Sequence, residues 1–177
     1  MPRGSPNMNR RLHQFSFPGE MLVRGFWLYV WKITTDKGRM LLYIGRTGDS
    51  SSLNAQSPFA RISQRLGSNK HANTLRRHLD ARKIKPEQCR SFELIAYGPI
   101  RWQASTKKAH RSARDHVASL EKSLCDELTF AGYAVLNNVK CRKRLNQKSW
   151  KTVRKAFALH FDRLDKAILI RQTITNL

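Results

Sequence analysis

Residues 27–47 read WLYVWKITTDKGRMLLYIGRT, two runs rich in aromatic, β-branched and aliphatic side chains separated by Asp36-Lys37-Gly38. Such runs suit a pleated, half-buried surface, and a short polar break closing on glycine is a hairpin turn signal. The pattern predicts a β-hairpin with strands over 26–35 and 39–46. Each strand carries a tyrosine, Tyr29 or Tyr43, and the second ends in Tyr43-Ile44-Gly45-Arg46-Thr47.

Upstream, residues 1–24 hold Pro2, Gly4, Pro6, Pro18 and Gly19 among Arg3, Arg10, Arg11 and Arg24 with little periodicity, which predicts a flexible basic arm. Downstream, the polar stretch 47–57 predicts a loop. Ser57 and Pro58 then suit the N-cap and first turn of a helix carrying Phe59, Arg61, Ile62, Arg65 and Leu66 and stopping at Gly67. A second basic helix is expected over 70–83, with Leu75 and Leu79 on its inner side. The alternation in 90–97 predicts a third strand that pairs with the hairpin and ends at Gly98-Pro99. Val117, Leu120, Leu124 and Leu128 mark a central helix over 110–131, stopped by Gly132. Trp150, Val153, Phe157, Phe161, Leu164 and Ile168 recur at steps of three and four, predicting an amphipathic helix whose opposite face shows Lys151, Arg154 and Lys155. The expected fold is α/β of the α+β type, a small central antiparallel three-stranded sheet flanked by helices. The chain divides into the arm 1–24, a compact domain 25–145, and a C-terminal basic amphipathic helix 146–177 packed on that domain.

The 177 residues carry 34 Lys plus Arg against 12 Asp plus Glu, a net charge of +22, with 40% hydrophobic content. That apolar fraction and length fit one core. The charge excess points to a polyanionic partner, although charge alone does not separate DNA from RNA. No apolar run is long enough to span a bilayer, and the start MPRGSPNMNRR lacks a signal-peptide core, so no membrane association and a cytoplasmic location are expected. Cys89, Cys125 and Cys141 are too widely spaced for a disulfide framework or a zinc site. The six histidines form no tight cluster with carboxylates and read as surface or phosphate-contacting side chains.

The ordered series Tyr29, Tyr43-Ile44-Gly45, Arg61, Glu121 and Asn137/Asn138 resembles the GIY-YIG nucleases over roughly residues 26–140. The resemblance implies phosphodiester hydrolysis with a single divalent cation, Mg²⁺ or Mn²⁺, held by Glu121. By position, Tyr29 would activate water with Tyr43 beside it in one cleft, and Arg61 would contact the scissile phosphate. Gly45 would let backbones approach closely. Asn137 or Asn138 would support the site. Two departures stand out: Trp27-Leu28-Tyr29 replaces Gly-Ile-Tyr, and Arg65 lies where many members have histidine or tyrosine, which suits a second phosphate contact.

Some of these residues carry a reading of their own. A carboxylate beside an apolar stripe, as Glu121 is, costs free energy unless something pairs with it; an exposed salt bridge to Lys122 or Arg114 is the plain alternative, and Asp126 and Glu127 are rival ligands. For Tyr29 to act as a base, its pKa must fall from about 10; Lys32, Arg39, Arg46 and Arg61 are the cations expected to lower it. Both tyrosines are otherwise core side chains. Arg46, Lys70, Arg76, Arg77, Lys151 and Arg154 are the expected DNA contacts. The function expected is a metal-dependent DNA endonuclease, on the pattern of a small restriction enzyme working as a homodimer. The alternatives are a non-catalytic basic nucleic-acid-binding protein on the same fold and a structure-selective repair or mobile-element nuclease.

Overall fold

The computed structural model describes residues 12–49, 53–67 and 73–164. Strands β1 (Gly25–Thr34), β2 (Met40–Arg46) and β3 (Ser91–Trp102) form an antiparallel sheet in the order β2-β1-β3. Helices α1 (Pro58–Leu66), α2 (Thr74–Asp80), α3 (Lys107–Phe130) and α4 (Gln147–Ala158) complete the α+β fold. None of the described helices is long and apolar enough to cross a membrane.

The period-two alternation of β1 and β2 divides the core. Tyr29, Trp31 and Ile33, with Leu41 and Tyr43, pack against Ile62 and Leu66 of α1 and Leu75 and Leu79 of α2. Leu28, Val30, Leu42 and Ile44 lie under Leu120, Leu124 and Leu128 of α3 and Trp150, Val153 and Phe157 of α4. A central strand covered on both faces has no polar side to show, which is why residues 26–31 read as an unbroken apolar run. Each large aliphatic side chain so buried contributes about 1.5–3 kcal/mol of transfer free energy.

Local chemistry fixes the helix ends. Ser57 Oγ accepts from Ala60 N at 3.2 Å and Thr106 Oγ1 from Ala109 N at 3.2 Å, each relieving an orphan donor in a first turn. At the far end of α3, Gly132 takes φ +80° and Tyr133 N returns to Leu128 O at 3.1 Å. The chain then runs parallel to β2, with Leu42 N donating to Ala134 O and Leu136 N to Leu42 O. This covers an otherwise open sheet edge.

Five expectations are corrected. β3 continues through Gly98-Pro99 to Trp102 because it is an edge strand, where a proline forfeits no ladder bond, and a register shift between Phe26 and Leu28 absorbs the irregularity. The helix expected over 70–83 is only Thr74–Asp80; Lys83 adopts φ +58°, outside the helical region, and residues 68–72 lie outside the described residues. The C-terminal helix stops at Ala158; after a turn at 159–160 Phe161 enters the core, as does Leu164 from a renewed helical stretch at 163–164, and Ile168 lies outside the described residues. Of the arm, residues 1–11 are likewise outside, whereas Gly19–Leu22 forms a 3₁₀ turn and Phe17 stacks on Phe59 of α1 at 4.6 Å. His110, expected at the surface, is buried against the Phe26 ring. All three cysteines are free thiols.

Candidate active site

Tyr29 pairs across the sheet with Gly45, and its phenol lies over that glycine: a Cβ at position 45 would stand 2.6 Å from two ring carbons and from the hydroxyl oxygen. Gly45 therefore makes room for the phenol rather than for an approaching backbone. Tyr43 occupies the diagonal position on the same face, two residues from the glycine. Immediately before Gly45, Ile44 is clamped by Asn137, whose side chain accepts from Ile44 N at 3.0 Å and donates to Ile44 O at 2.8 Å. Asn137 thus extends the ladder and fixes the strand end, whereas Asn138 is exposed and takes no part in that clamp.

From α1, Arg65 reaches over both phenols. Its Nε donates to Tyr29 Oη at 3.0 Å, its Nη1 donates to Thr74 Oγ1 at 3.1 Å, and its guanidinium lies 6.0 Å from the Tyr43 ring centroid. Arg61, one turn earlier, pairs with Asp49, and Arg65 Nη2 lies 3.7 Å from the other oxygen of the same carboxylate. Asp49 comes from the loop after β2. Thr47 anchors that loop by accepting from Trp27 N at 2.8 Å and donating to Gly25 O. Gly48 follows at φ +71° with no room for a Cβ against Phe26. From the opposite face of the sheet, Glu121 of α3 meets Arg46 of β2 at 2.7 Å. Lys122 and Arg114, the other pairings considered for Glu121, are taken by Asp126 and Asp115.

Five of the expected residues, Tyr29, Tyr43, Arg61, Arg65 and Glu121, therefore converge at one end of the sheet, joined by Arg46 and by Asp49, which the sequence reading missed. The only signal for Asp49 was its position as the sole acid in the polar stretch after the second strand. Three guanidinium cations here face two carboxylates, an excess of one positive charge. Arg46 Nη1 and Arg61 Nε are buried with no acceptor.

Burial dominates the electrostatics. It pushes the Tyr29 phenol up, against the opposing pull of Arg65 and Arg61, and Tyr43 moves the same way. The expected lowering of the Tyr29 pKa by Lys32, Arg39 and Arg46 does not occur: Lys32 is committed to Glu93, and the desolvation of a fully buried phenol outweighs the guanidinium charge. Arg65 is held above its ordinary value because the two phenol oxygens and Asp49 outweigh the desolvation that disfavours its charge. Glu121 is raised by burial beyond what Arg46 restores, with Asp49 adding to the rise.

Among the described residues no three His, Cys, Asp or Glu side chains gather into a metal-ligand group. A hard cation that keeps its waters needs only one or two carboxylates beside phosphate oxygens. Glu121, a buried carboxylate whose pKa is raised by desolvation despite its Arg46 partner, together with Asp49 of the same cluster, supplies that number of carboxylates.

The remaining DNA contacts expected divide. Arg77 and Lys151 are exposed. Arg46 is spent on Glu121, and Arg76 binds Leu66 O at the end of α1 together with Glu87. Arg154 is corrected from a DNA contact to a buried cross-helix tie: it bonds Glu127 of α3 at 2.7 Å and Leu164 O. Lys70 lies outside the described residues. Trp27, the departure from the first motif, is turned toward Gly98 of β3 and donates to Val23 O at 3.1 Å, clear of the phenols. Comparisons with models of known protein families, with curated proteins and with solved structures returned no match.

Proposed function

We propose that this chain is a metal-dependent DNA endonuclease that hydrolyses phosphodiester bonds at the cluster around Tyr29. The observation that supports this reading is the convergence of phenol, guanidinium and carboxylate groups from β1, β2, α1 and α3 on one sheet end, with a single excess positive charge to match a phosphodiester. Asp49 occupies Arg61 and Arg65 as a phosphate would, so substrate binding exchanges one anion for another. Arg61 and Arg65 then grip the phosphate oxygens in planar, charge-assisted bonds. Tyr29 acts as a base only from its phenolate form: the phenol first releases its proton to solvent, Arg65, already its hydrogen-bond donor, stabilises the phenolate against the burial that raises its pKa, and the phenolate then takes the proton of the attacking water. Tyr43 walls the site, and Arg46 orients Glu121. Glu121 would hold a divalent cation, Mg²⁺ or Mn²⁺, which when bound would supply stabilisation for the leaving 3′ oxygen. In this reading DNA is the partner, the enzyme works in the cytoplasm, and two copies related by a two-fold axis cut both strands.

The complete burial of Tyr29 under Arg65 favours one rival, a basic nucleic-acid binder that keeps the cluster as structure. Incubation with plasmid, branched DNA and single strands, with and without Mg²⁺, separates the two. The wild type is expected to cut only with the cation, while Tyr29→Phe and Glu121→Gln each lose at least about 100-fold in rate and keep their DNA affinity. Absence of cutting under every condition, or undiminished cutting by Glu121→Gln, leaves only the binder. The product pattern distinguishes a restriction enzyme from a branch-selective nuclease.

A further inference from the structure

Trp102, the last residue of β3, is 70% exposed, whereas the other three tryptophans, Trp27, Trp31 and Trp150, are 4%, 3% and 6% exposed. It stands over a recess of about 480 Å³ lined also by Arg101, Ala109, Ser112, Ala113 and His116. The strand supplies an aromatic wall, small side chains of α3 leave the opposite side open, and Arg101, Ser112 and His116 offer polar edges. Burial and then Arg101 lower the His116 pKa, which keeps a neutral ring with one donor and one acceptor.

Two features indicate what the recess takes. Trp102 pairs with Gly25, whose carbonyl is held by Thr47, so the recess shares a sheet end with Arg46 and Asp49. The first turn of α3 carries Lys107, Lys108 and, just beyond, Arg111, all exposed, with no acid to offset the positive end of the helix dipole. A positive field around an aromatic slot suits a π-stacking group on a polyanion.

We propose that the recess between Trp102 and the first turns of α3 receives a single nucleobase displaced from the stack of a bound DNA. The inference rests on the chain binding DNA and not on its cutting. One base stacks on the indole and presents its edge to Arg101, Ser112 and His116, while the neighbouring phosphates lie along the α3 lysines.

The test uses the full chain in EDTA with three short duplexes: one carrying a bulged adenine, one with an abasic site in place of that adenine, and one fully paired. Because Trp102 is the exposed indole, acrylamide quenching reports on it alone. The bulged-adenine duplex is expected to shield Trp102 from acrylamide, and the other two are not. Trp102→Ala and the recess-filling Ala109→Phe are each expected to lose about tenfold in affinity for the bulged-adenine duplex and nothing for the paired one. Trp102 remaining open to acrylamide in the complex, equal binding of all three duplexes by wild type and variants, or no binding of any DNA at low salt overturns the inference. Base-selective binding without cleavage under Mg²⁺ leaves it standing and removes only the nuclease reading.

Discussion

At the scale of single residues, the cluster is held by small side chains and loop positions whose role only the geometry shows. Gly45 exists because the Tyr29 ring crosses it, and Asp49 is placed so that its two oxygens face two different guanidinium groups. If Asp49 stands where a phosphate binds, Asp49→Asn removes a competing anion. DNA affinity in EDTA should then rise about fivefold, corresponding to roughly 1 kcal/mol for a partly exposed ion pair, as read by fluorescence anisotropy. Unchanged or weaker binding would mean that the carboxylate does not occupy the phosphate position. Tyr29, Tyr43 and Arg61 were legible in the sequence through their order in the GIY-YIG resemblance, and Glu121 through that and its place beside the leucine stripe of the central helix. The bond from Arg65 to Tyr29 was not, since it depends on how α1 is rotated over the sheet, and Asp49 was not, since a loop has no period to read.

At the scale of elements, the sequence pattern located each described strand and α-helix, missed the 3₁₀ turns at Gly19–Leu22 and Pro86–Gln88, and misplaced several ends. Gly98-Pro99 reads as a stop only if the strand is central; the sheet order that makes β3 an edge is a long-range fact. Likewise Phe161 and Leu164 keep helical spacing with Trp150 and Phe157 although α4 has already ended, because the turn at 159–160 returns the chain to the same core. Arg154 shows how this matters for function. On a helical wheel it belongs with Lys151, yet it lies between α3 and α4, bonded to Glu127 and to Leu164 O. Arg154→Leu is therefore expected to cost about 3 kcal/mol in urea unfolding, the scale for breaking a buried pair, with little effect on DNA binding per folded molecule. Lys151→Ala should do the reverse, leaving stability within about 0.5 kcal/mol and weakening DNA binding. The opposite pattern would return Arg154 to the nucleic-acid surface.

At the scale of the whole molecule, a chain of net charge +22 has few carboxylates, and Asp49, Glu87, Glu93, Asp115, Glu121, Asp126 and Glu127 each meet at least one Arg or Lys. Asp115 behaves as a paired surface acid: the Lys143 hydrogen bond lowers its pKa, so its contribution is present above its unfolded pKa and is lost as pH falls through the folded one. Glu121 has the opposite sign. Its folded pKa is raised, chiefly by burial, so the native state holds that proton more tightly than the unfolded chain does. The stabilisation is complete below the ordinary carboxylate pKa and disappears as pH rises through the folded value, above which the fold carries an undercompensated buried charge. Glu121→Gln mimics the protonated form and still accepts from Arg46. The two proteins should thus have similar stability at acid pH, and the variant should become the more stable as pH rises to neutral. Mg²⁺ should close that gap by binding the ionised carboxylate of the native wild type, an advantage the variant cannot share. Urea unfolding across pH, with and without the cation, measures both effects. A gap that is constant with pH and indifferent to Mg²⁺ would place the charge balance of Glu121 in its Arg46 ion pair and remove the carboxylate as a cation site.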